Sequence, residues 1–271
     1  MPVDIVIPVL NQLEYTRPCL ESLFATVPPE VRIYVVNNGS TDGTTEYLAG
    51  LPRISVISND RNQGCAVAWN QGVRAGSSPW VVVLNNDVLL PEGWLDGLLA
   101  AAARYSWDIV CPALREGEYN YDLASYARTY MGAMGEVVRR GETHGVCFMV
   151  NRRVFEAIGL FDENFRIGGG EDTDFFWRAA AAGFRSGSTG CSFMHHYGCV
   201  TQDYVKKEIT KRCYGPEHRA YFREKWRLGW LKRFVLRRRS KARELIWRVG
   251  EQVRYGHTLR EKWQGGKLRF Y

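Results

Sequence analysis

The sequence predicts an α/β fold, a mostly parallel sheet sandwiched by helices, followed by a helical, basic C-terminal extension. Through the first 110 residues, short runs rich in Val and Ile alternate with amphipathic stretches. That is the rhythm of parallel strands joined by crossover helices. Polar residues cluster directly after these runs, where the carboxyl edge of such a sheet forms a binding crevice. The extension rests on charge. From Thr201 onward 21 Lys and Arg stand against 7 Asp and Glu, an excess of +14, whereas the first 200 residues carry 15 against 22.

Taken in order, strands are expected at 3–7, 31–36, 54–57, 80–84 and 108–111, with helices at 14–26, 43–49, 64–76 and 91–104. Residues 115–143 are polar and aromatic with weak periodicity and read as a variable insert that contacts a substrate. Val146–Val150 is expected as a strand, Arg152–Ile158 as a helix, and 184–188 and 191–195 as two short strands. The stretch Arg-Ile-Gly-Gly-Gly-Glu-Asp-Thr-Asp (166–174) joins a glycine loop to a helix reaching Ala182, with Gly183 as its stop. From Pro216 onward the chain reads as helical.

At 271 residues the chain can bury a sizeable core, and 45% hydrophobic against 24% charged residues excludes wholesale disorder. No run of eighteen apolar residues occurs, so no spanning helix is expected. Met1-Pro2-Val3-Asp4 lacks a basic n-region and reads as the approach to a first strand rather than a signal peptide. Seven cysteines form no Cys-x-x-Cys pair and read as small buried hydrophobes of a reducing, cytoplasmic protein.

Four strand ends carry the unusual residues: Pro8 and Asn11, then Asn37 to Asp42, then Asp60, Arg61 and Asn62, then Asn85, Asn86 and Asp87. Such residues also suit ordinary βα turns, but four clusters on one edge point to a ligand. Glu171 and Asp172 open a helix, where the macrodipole favours an ionised, proton-accepting carboxylate; either also suits a helix cap.

The ordered motifs resemble family 2 glycosyltransferases of the GT-A fold over residues 2–201. They are Ile-Pro-Val-Leu-Asn (7–11), Val-Val-Asn-Asn-Gly-Ser-Thr-Asp-Gly (35–43), Asn-Gln-Gly (62–64) with Asn70-x-Gly72, and Leu-Asn-Asn-Asp (84–87). Gly159-x-Phe161-Asp162-Glu163, Gly-Glu-Asp (170–172) and His196-x-Gly198 follow. The resemblance implies an inverting transfer of a sugar from a nucleoside-diphosphate donor, UDP or dTDP type, to a hydroxyl of a glycan or lipid-linked acceptor. It implies Asp172 as general base with Glu171 beside it, and Pro8, Asn11, Asn37, Asp60, Arg61, Gly64, Asn70, Asn85 and Asn86 around the nucleotide sugar. Asp87 and His196 would hold Mg²⁺ or Mn²⁺, which suits oxygen-rich ligands and a departing diphosphate. Gly170 and His144 are expected on the acceptor side. The family's first acid of the metal motif is missing here, since Asn85 and Asn86 precede Asp87.

The expected organisation is a transferase domain at 1–200 and a basic aromatic helical extension at 201–271. Phe222, Trp226, Trp230 and Phe234 recur every four residues among Lys and Arg, which suits either packing on the domain or an anionic membrane surface. The expected location is therefore cytoplasmic and peripheral at the inner membrane face. No nucleic-acid module is recognisable, so no nucleic acid is expected. Competing readings are an inactive sugar-nucleotide-binding or membrane-scaffold protein and a nucleotidyltransferase; the latter would want a phosphate-binding glycine loop that Pro8–Asn11 does not supply.

Overall fold

The computed structural model describes residues 1–166, 169–198, 200, 204 and 215–269. Ile167 and Gly168 of the glycine loop and the expected domain boundary after residue 200 fall at or beyond the limits of that description. Among the described residues, eleven strands form one mixed sheet. The parallel part consists of β1 (Val3–Val9), β2 (Arg32–Asn37), β3 (Ile54–Ser58) and β4 (Trp80–Leu84). Helices α1 (Leu13–Thr26), α2 (Thr44–Ala49) and α3 (Cys65–Ala75) connect them. The chain moves outward from β1 to β3 and then returns to place β4 on the other side of β1. That reversal is the topological switch point at which open α/β sheets bind ligands.

Strands β1 and β4 are almost wholly buried, and continuous apolar runs such as Val81-Val82-Val83-Leu84 are what a sheet covered on both faces requires. Ile5, Ile7, Leu20 and Leu23 pack on one face; Val6, Trp69, Phe148 and Phe175 pack on the other. Each such fully buried side chain contributes about 1.5–3 kcal/mol. Helix α3 approaches β1 closely because Gly72 has no Cβ; one would lie 2.2 Å from Val6 Cγ1. At the opposite end of the sheet from the switch-point loops, buried Asp4 joins Arg32 and Arg152, each at 3.0 Å, and accepts from the Ser78 backbone. That cluster is structural.

Beyond α4 (Trp94–Tyr105) the sheet becomes mixed. Strand β6 (Ile109–Gly117) pairs with β8 (Cys147–Asn151) and lies parallel to β9 (Ser186–His196). The two short strands expected at 184–195 are thus one strand, with a register shift opposite Pro112/Ala113. Residues 115–143 hold the end of β6, helix α5 (Leu123–Met134) and β7 (Val138–Arg140). Asp122 caps α5 by accepting from the Ser125 N–H at 2.7 Å. A two-residue strand, β5 (Val88–Leu89), pairs antiparallel with β9 and was not expected. Helices α6 (Arg152–Ile158) and α7 (Glu171–Ala181) lie close to their expected positions.

After residue 215 the chain forms α8 (Gly215–Lys225) and α9 (Trp230–Tyr255). It then departs from the expected all-helical reading. Strand β10 (Arg260–Gln264) adds parallel to β6, and β11 (Lys267–Arg269) closes a hairpin on it. Gly265 and Gly266, at φ 58° and 68°, make the two-residue turn. The aromatic stripe is interrupted as well, because α8 ends before Gly229. Phe222 and Trp226 pack on Trp177 of α7, with ring centroids 5.0 and 5.2 Å away, whereas Trp230 and Phe234 are exposed. Trp226 Nε1 and Lys225 Nζ reach buried Asp174 at 2.9 and 2.8 Å, fastening α8 to α7. Helix α9 is fastened by Arg139, fully buried and bidentate to Glu251 at 2.7 and 2.8 Å.

Candidate active site

Loops after β1, β2 and β3 are tied together by amides. Asn11 Oδ1 accepts from the Thr41 N–H at 2.6 Å, its own N–H donates to Ser40 Oγ, and its Nδ2 donates to the Tyr204 hydroxyl at 2.7 Å. Asn37 Oδ1 accepts from the Ser40 N–H and its Nδ2 donates to Thr45 Oγ1. Asn38, expected only as part of the strand-end cluster, donates to Asn62 Oδ1 and the Gly64 carbonyl. Its own Oδ1 accepts from Asn59 Nδ2 and the Gln63 N–H. The backbone crosses closely here: a Cβ on Gly39, at φ 85°, would meet Arg61 Cα at 2.7 Å. Asp60 and Arg61 are left exposed on the rim, Pro8 is half-buried, and Gly64 caps α3. Asn70 lies deeper. Its amide clips α3 to Phe161, accepting from the backbone N–H at 3.0 Å and donating to the carbonyl at 2.9 Å, and it also reaches Glu163.

The loop after β4 brings the expected metal pair together. Asp87 precedes β5, whose register sets Val88 opposite His196 on β9. His196 Nε2 stands 3.5 Å from Asp87 Oδ1, and its Nδ1 stands 3.5 Å from Glu116 Oε2. Glu116 was missed because it reaches His196 through the β6–β9 register, a non-local pairing without a sequence motif. Burial opposes charge on His196, but Asp87 and Glu116 outweigh it and push its pKa up to about 9. Asp87 Oδ1 is buried without a hydrogen-bond partner. Asn86 Nδ2 donates to Thr16 Oγ1 and the Asn85 N–H donates to the Val146 carbonyl, which anchor this loop. His195 points into a different environment, beside Tyr119, Tyr121 and Tyr197, and burial drops its pKa to about 3.

Asp87 Oδ1, buried without a hydrogen-bond partner, and His196 Nε2, 3.5 Å away, are close enough to share a divalent cation once the imidazole gives up its proton. Among the described residues no group of three or more His, Cys, Asp and Glu is arranged to hold a metal. Two protein donors, with phosphate oxygens and water completing the shell, fit Mg²⁺ or Mn²⁺, which bind through few carboxylates plus substrate phosphates.

On the other side, Gly170 (φ 120°) turns the chain into α7, where a Cβ would strike the Phe165 ring at 2.7 Å. Glu171 Oε2 accepts from the Gly169 N–H at 2.5 Å. Burial, then the neighbouring Asp172, raises the Glu171 pKa to about 8. Burial also raises Asp172, although the Thr173 backbone N–H donates to its Oδ1 at 2.7 Å. Gly145 makes room for the Asp172 carboxylate, since a Cβ there would lie 2.3 Å from Oδ2. Asp172 borders a cavity of about 240 Å³, lined also by Thr143, Trp177, Arg243 and Arg260. That is space for roughly eight waters. His144 is buried nearby with Nε2 2.9 Å from the Pro112 carbonyl. Burial and then Arg260 lower its pKa to about 3, so it is neutral. A larger cavity, about 1290 Å³, adjoins at Thr173 and Trp177 and extends between α7, α8 and α9.

The family model for glycosyl transferase family 2 matches residues 4–159, from β1 through the end of α6. The chain belongs to that family. It is 27% identical over 194 residues to glycosyltransferase AglE of Haloferax volcanii, covering 67% of this chain and 62% of that protein. It is 26% identical over 207 residues to succinoglycan biosynthesis protein ExoA of Rhizobium meliloti, covering 71% and 62%. The chain thus spans about three fifths of these relatives. Among solved structures, GalNAc-T7 with UDP, GalNAc and Mn²⁺ superposes at TM-score 0.60 and 15% identity over 83% of this chain and 54% of its own. Staphylococcus aureus TarS 1–349 superposes at 0.60 and 14% identity, covering 94% and 78%. At those identities the likeness concerns the fold, which is the expected GT-A arrangement.

Proposed function

We propose that this chain is an inverting glycosyltransferase that moves a sugar from a nucleoside-diphosphate donor, UDP or dTDP type, to a hydroxyl of a glycan or lipid-linked acceptor. The observation that carries the reading is the division of carboxylates: Asp87 beside His196 at the switch point, and Asp172 with Glu171 at a helix start facing a cavity. Similarity to GalNAc-T7 and TarS, solved with UDP and with UDP-GlcNAc, supports a uridine nucleotide.

In this mechanism the nucleotide lies over the loops held rigid by Asn11, Asn37 and Asn38, with Asp60 and Arg61 free on the rim to meet base, ribose or phosphate. Asp87 and His196 would hold Mg²⁺ or Mn²⁺, which as a Lewis acid offsets charge on the departing diphosphate. Single-displacement inversion needs a base opposite the leaving group. Asp172 takes the acceptor's hydroxyl proton. Glu171 keeps its own proton near neutral pH, so Asp172 does not face a second negative charge beside it. His144, neutral and held by Pro112, shapes the acceptor side without adding charge.

A thermal-shift screen of UDP, dTDP, GDP and CDP with and without Mn²⁺ identifies the nucleotide, because a ligand that binds the native state raises Tm. Incubation with the matching sugar nucleotide then tests chemistry. Release of nucleoside diphosphate by the wild type and not by Asp87→Ala supports an enzyme. Binding without turnover, with acceptors present, favours an inactive sugar-nucleotide-binding protein.

A further inference from the structure

Helix α9 has two unlike sides. Glu244, Trp247, Arg248, Glu251, Gln252 and Tyr255, at helical spacing, form its partly or fully buried seam against the body. Residues 230, 231, 234 and 235 and, ten residues on, 245, 246, 249 and 253 form two apolar patches on a second face, with Arg238 and Lys241 at the helical positions between them. The patches (Trp, Leu, Phe, Val and Leu, Ile, Val, Val) are exposed: Trp230 is 73% exposed, Phe234 52% and Val253 83%. An amphipathic helix normally turns such patches inward. Here buried Arg139 pairs with both Glu244 and Glu251, so the helix's only two acids are drawn to the seam. What remains outward is the two apolar patches with basic residues between and beside them, including Lys232, Arg238, Arg239, Lys241 and Arg254, all exposed.

We propose that this outward face of α9 seats on a bilayer surface carrying anionic lipid. Apolar patches that enter the headgroup boundary, with Lys and Arg beside them that meet lipid phosphates, are the arrangement such surfaces bind. A second copy of the chain is a poor occupant, since face-to-face packing would bring two cationic borders together with their acids already engaged. No helix of the described residues is long and apolar enough to cross a membrane, so the seat is interfacial. Helix α9 also lines the larger cavity through Leu236, Arg237, Arg243 and Ile246. The opposite wall of that cavity holds Gly169, Gly170 and Thr173, next to Asp172. A lipid-borne acceptor would therefore reach the site along the surface that the helix occupies.

Flotation of the full chain with vesicles of phosphatidylcholine alone, or mixed with phosphatidylglycerol, tests this. The protein should float with the anionic vesicles at low salt and be released in about 1 M salt, where the Debye length falls to about 3 Å. Each basic residue near such a surface is worth about a factor of five in binding, so Arg238→Gln with Lys241→Gln should weaken it roughly thirtyfold. Trp230→Ser with Phe234→Ser should weaken it about tenfold or more on neutral and anionic vesicles alike. All four positions are exposed, so melting should be unchanged. Absence of the wild type from the anionic vesicle fraction at low salt overturns the proposal. So does flotation that both double variants retain, or a dimer seen by sedimentation and lost in Trp230→Ser with Phe234→Ser without any vesicle binding. Flotation does not depend on turnover, so its failure is distinguishable from failure of the transfer reaction.

Discussion

The loops above β1 to β3 and the region around β6, β9 and α9 handle polar groups in opposite ways. In the first, Asn11, Asn37 and Asn38 have both ends of their amides engaged, by residues of these loops, by Thr45 and by Tyr204. In the second, Glu142 Oε2 and His144 Nδ1 are buried without hydrogen-bond partners, as is Asp87 Oδ1 beside His196. Buried polar atoms are ordinarily satisfied, so such a cluster demands an explanation. The contrast teaches a division of labour. In the proposed reaction the amides would make a stiff nucleotide platform, while carboxylates and imidazoles would be held, at a cost in stability, where charge develops.

Substitutions should separate along that line. The largest effect on stability is expected for Arg139→Ala, which leaves Glu251 buried without its cation, while Glu142 keeps Arg260 at 2.9 Å; breaking such a buried pair costs about 3–5 kcal/mol. Denaturant titration measures it, and a loss under about 1 kcal/mol would mean that α9 is not fastened here. Asp87→Ala should lower turnover at least about a hundredfold and abolish Mn²⁺-dependent nucleotide affinity, with little change in melting. Calorimetric titration with and without Mn²⁺ reads this directly. Asn38→Ala should do the reverse, costing about 1–3 kcal/mol of stability as four hydrogen bonds lose a partner, while turnover at saturating donor stays within a few-fold.

The smallest effect concerns pH. Glu171 in the folded protein titrates near 8, above the ordinary carboxylate value of 4.5. Its contribution to stability is therefore fully present below about pH 4.5 and is lost as pH rises through 8. Wild type should lose Tm relative to Glu171→Gln across that window, by a few degrees. Parallel curves for the two proteins would mean that Glu171 is ionised in the folded state.

Much of this arrangement was legible in the sequence because it is local. The Val-rich runs and amphipathic stretches up to residue 110 placed β1 to β4 and α1 to α4 within a few residues, since period and strand-end polarity are read within one element. Asp87 and His196 were matched by motif, and the structure places them 3.5 Å apart. Non-local pairing was not legible. Glu116 reaches His196 only through sheet register, and Arg139 meets Glu251 only after α9 folds back. Strand β10 was hidden by charge: Arg260-Glu-Lys reads as a solvated helix until the Gly265-Gly266 turn marks a hairpin. Asn70 suggested a ligand contact, but its amide closes on Phe161 and Glu163 instead.

The central claim is that Asp172 takes the acceptor's proton. Asp172→Asn keeps the side chain's shape but cannot accept that proton, so transfer to acceptor should fall by about a thousandfold or more. Affinity for the nucleoside diphosphate with Mn²⁺, measured on the same preparation by calorimetry, should stay within a few-fold, because the proposed function puts the nucleotide over the other half of the sheet. A variant that keeps most of its turnover would show that Asp172 only caps α7. Equal loss of nucleotide affinity would show that the two halves are not separate sites.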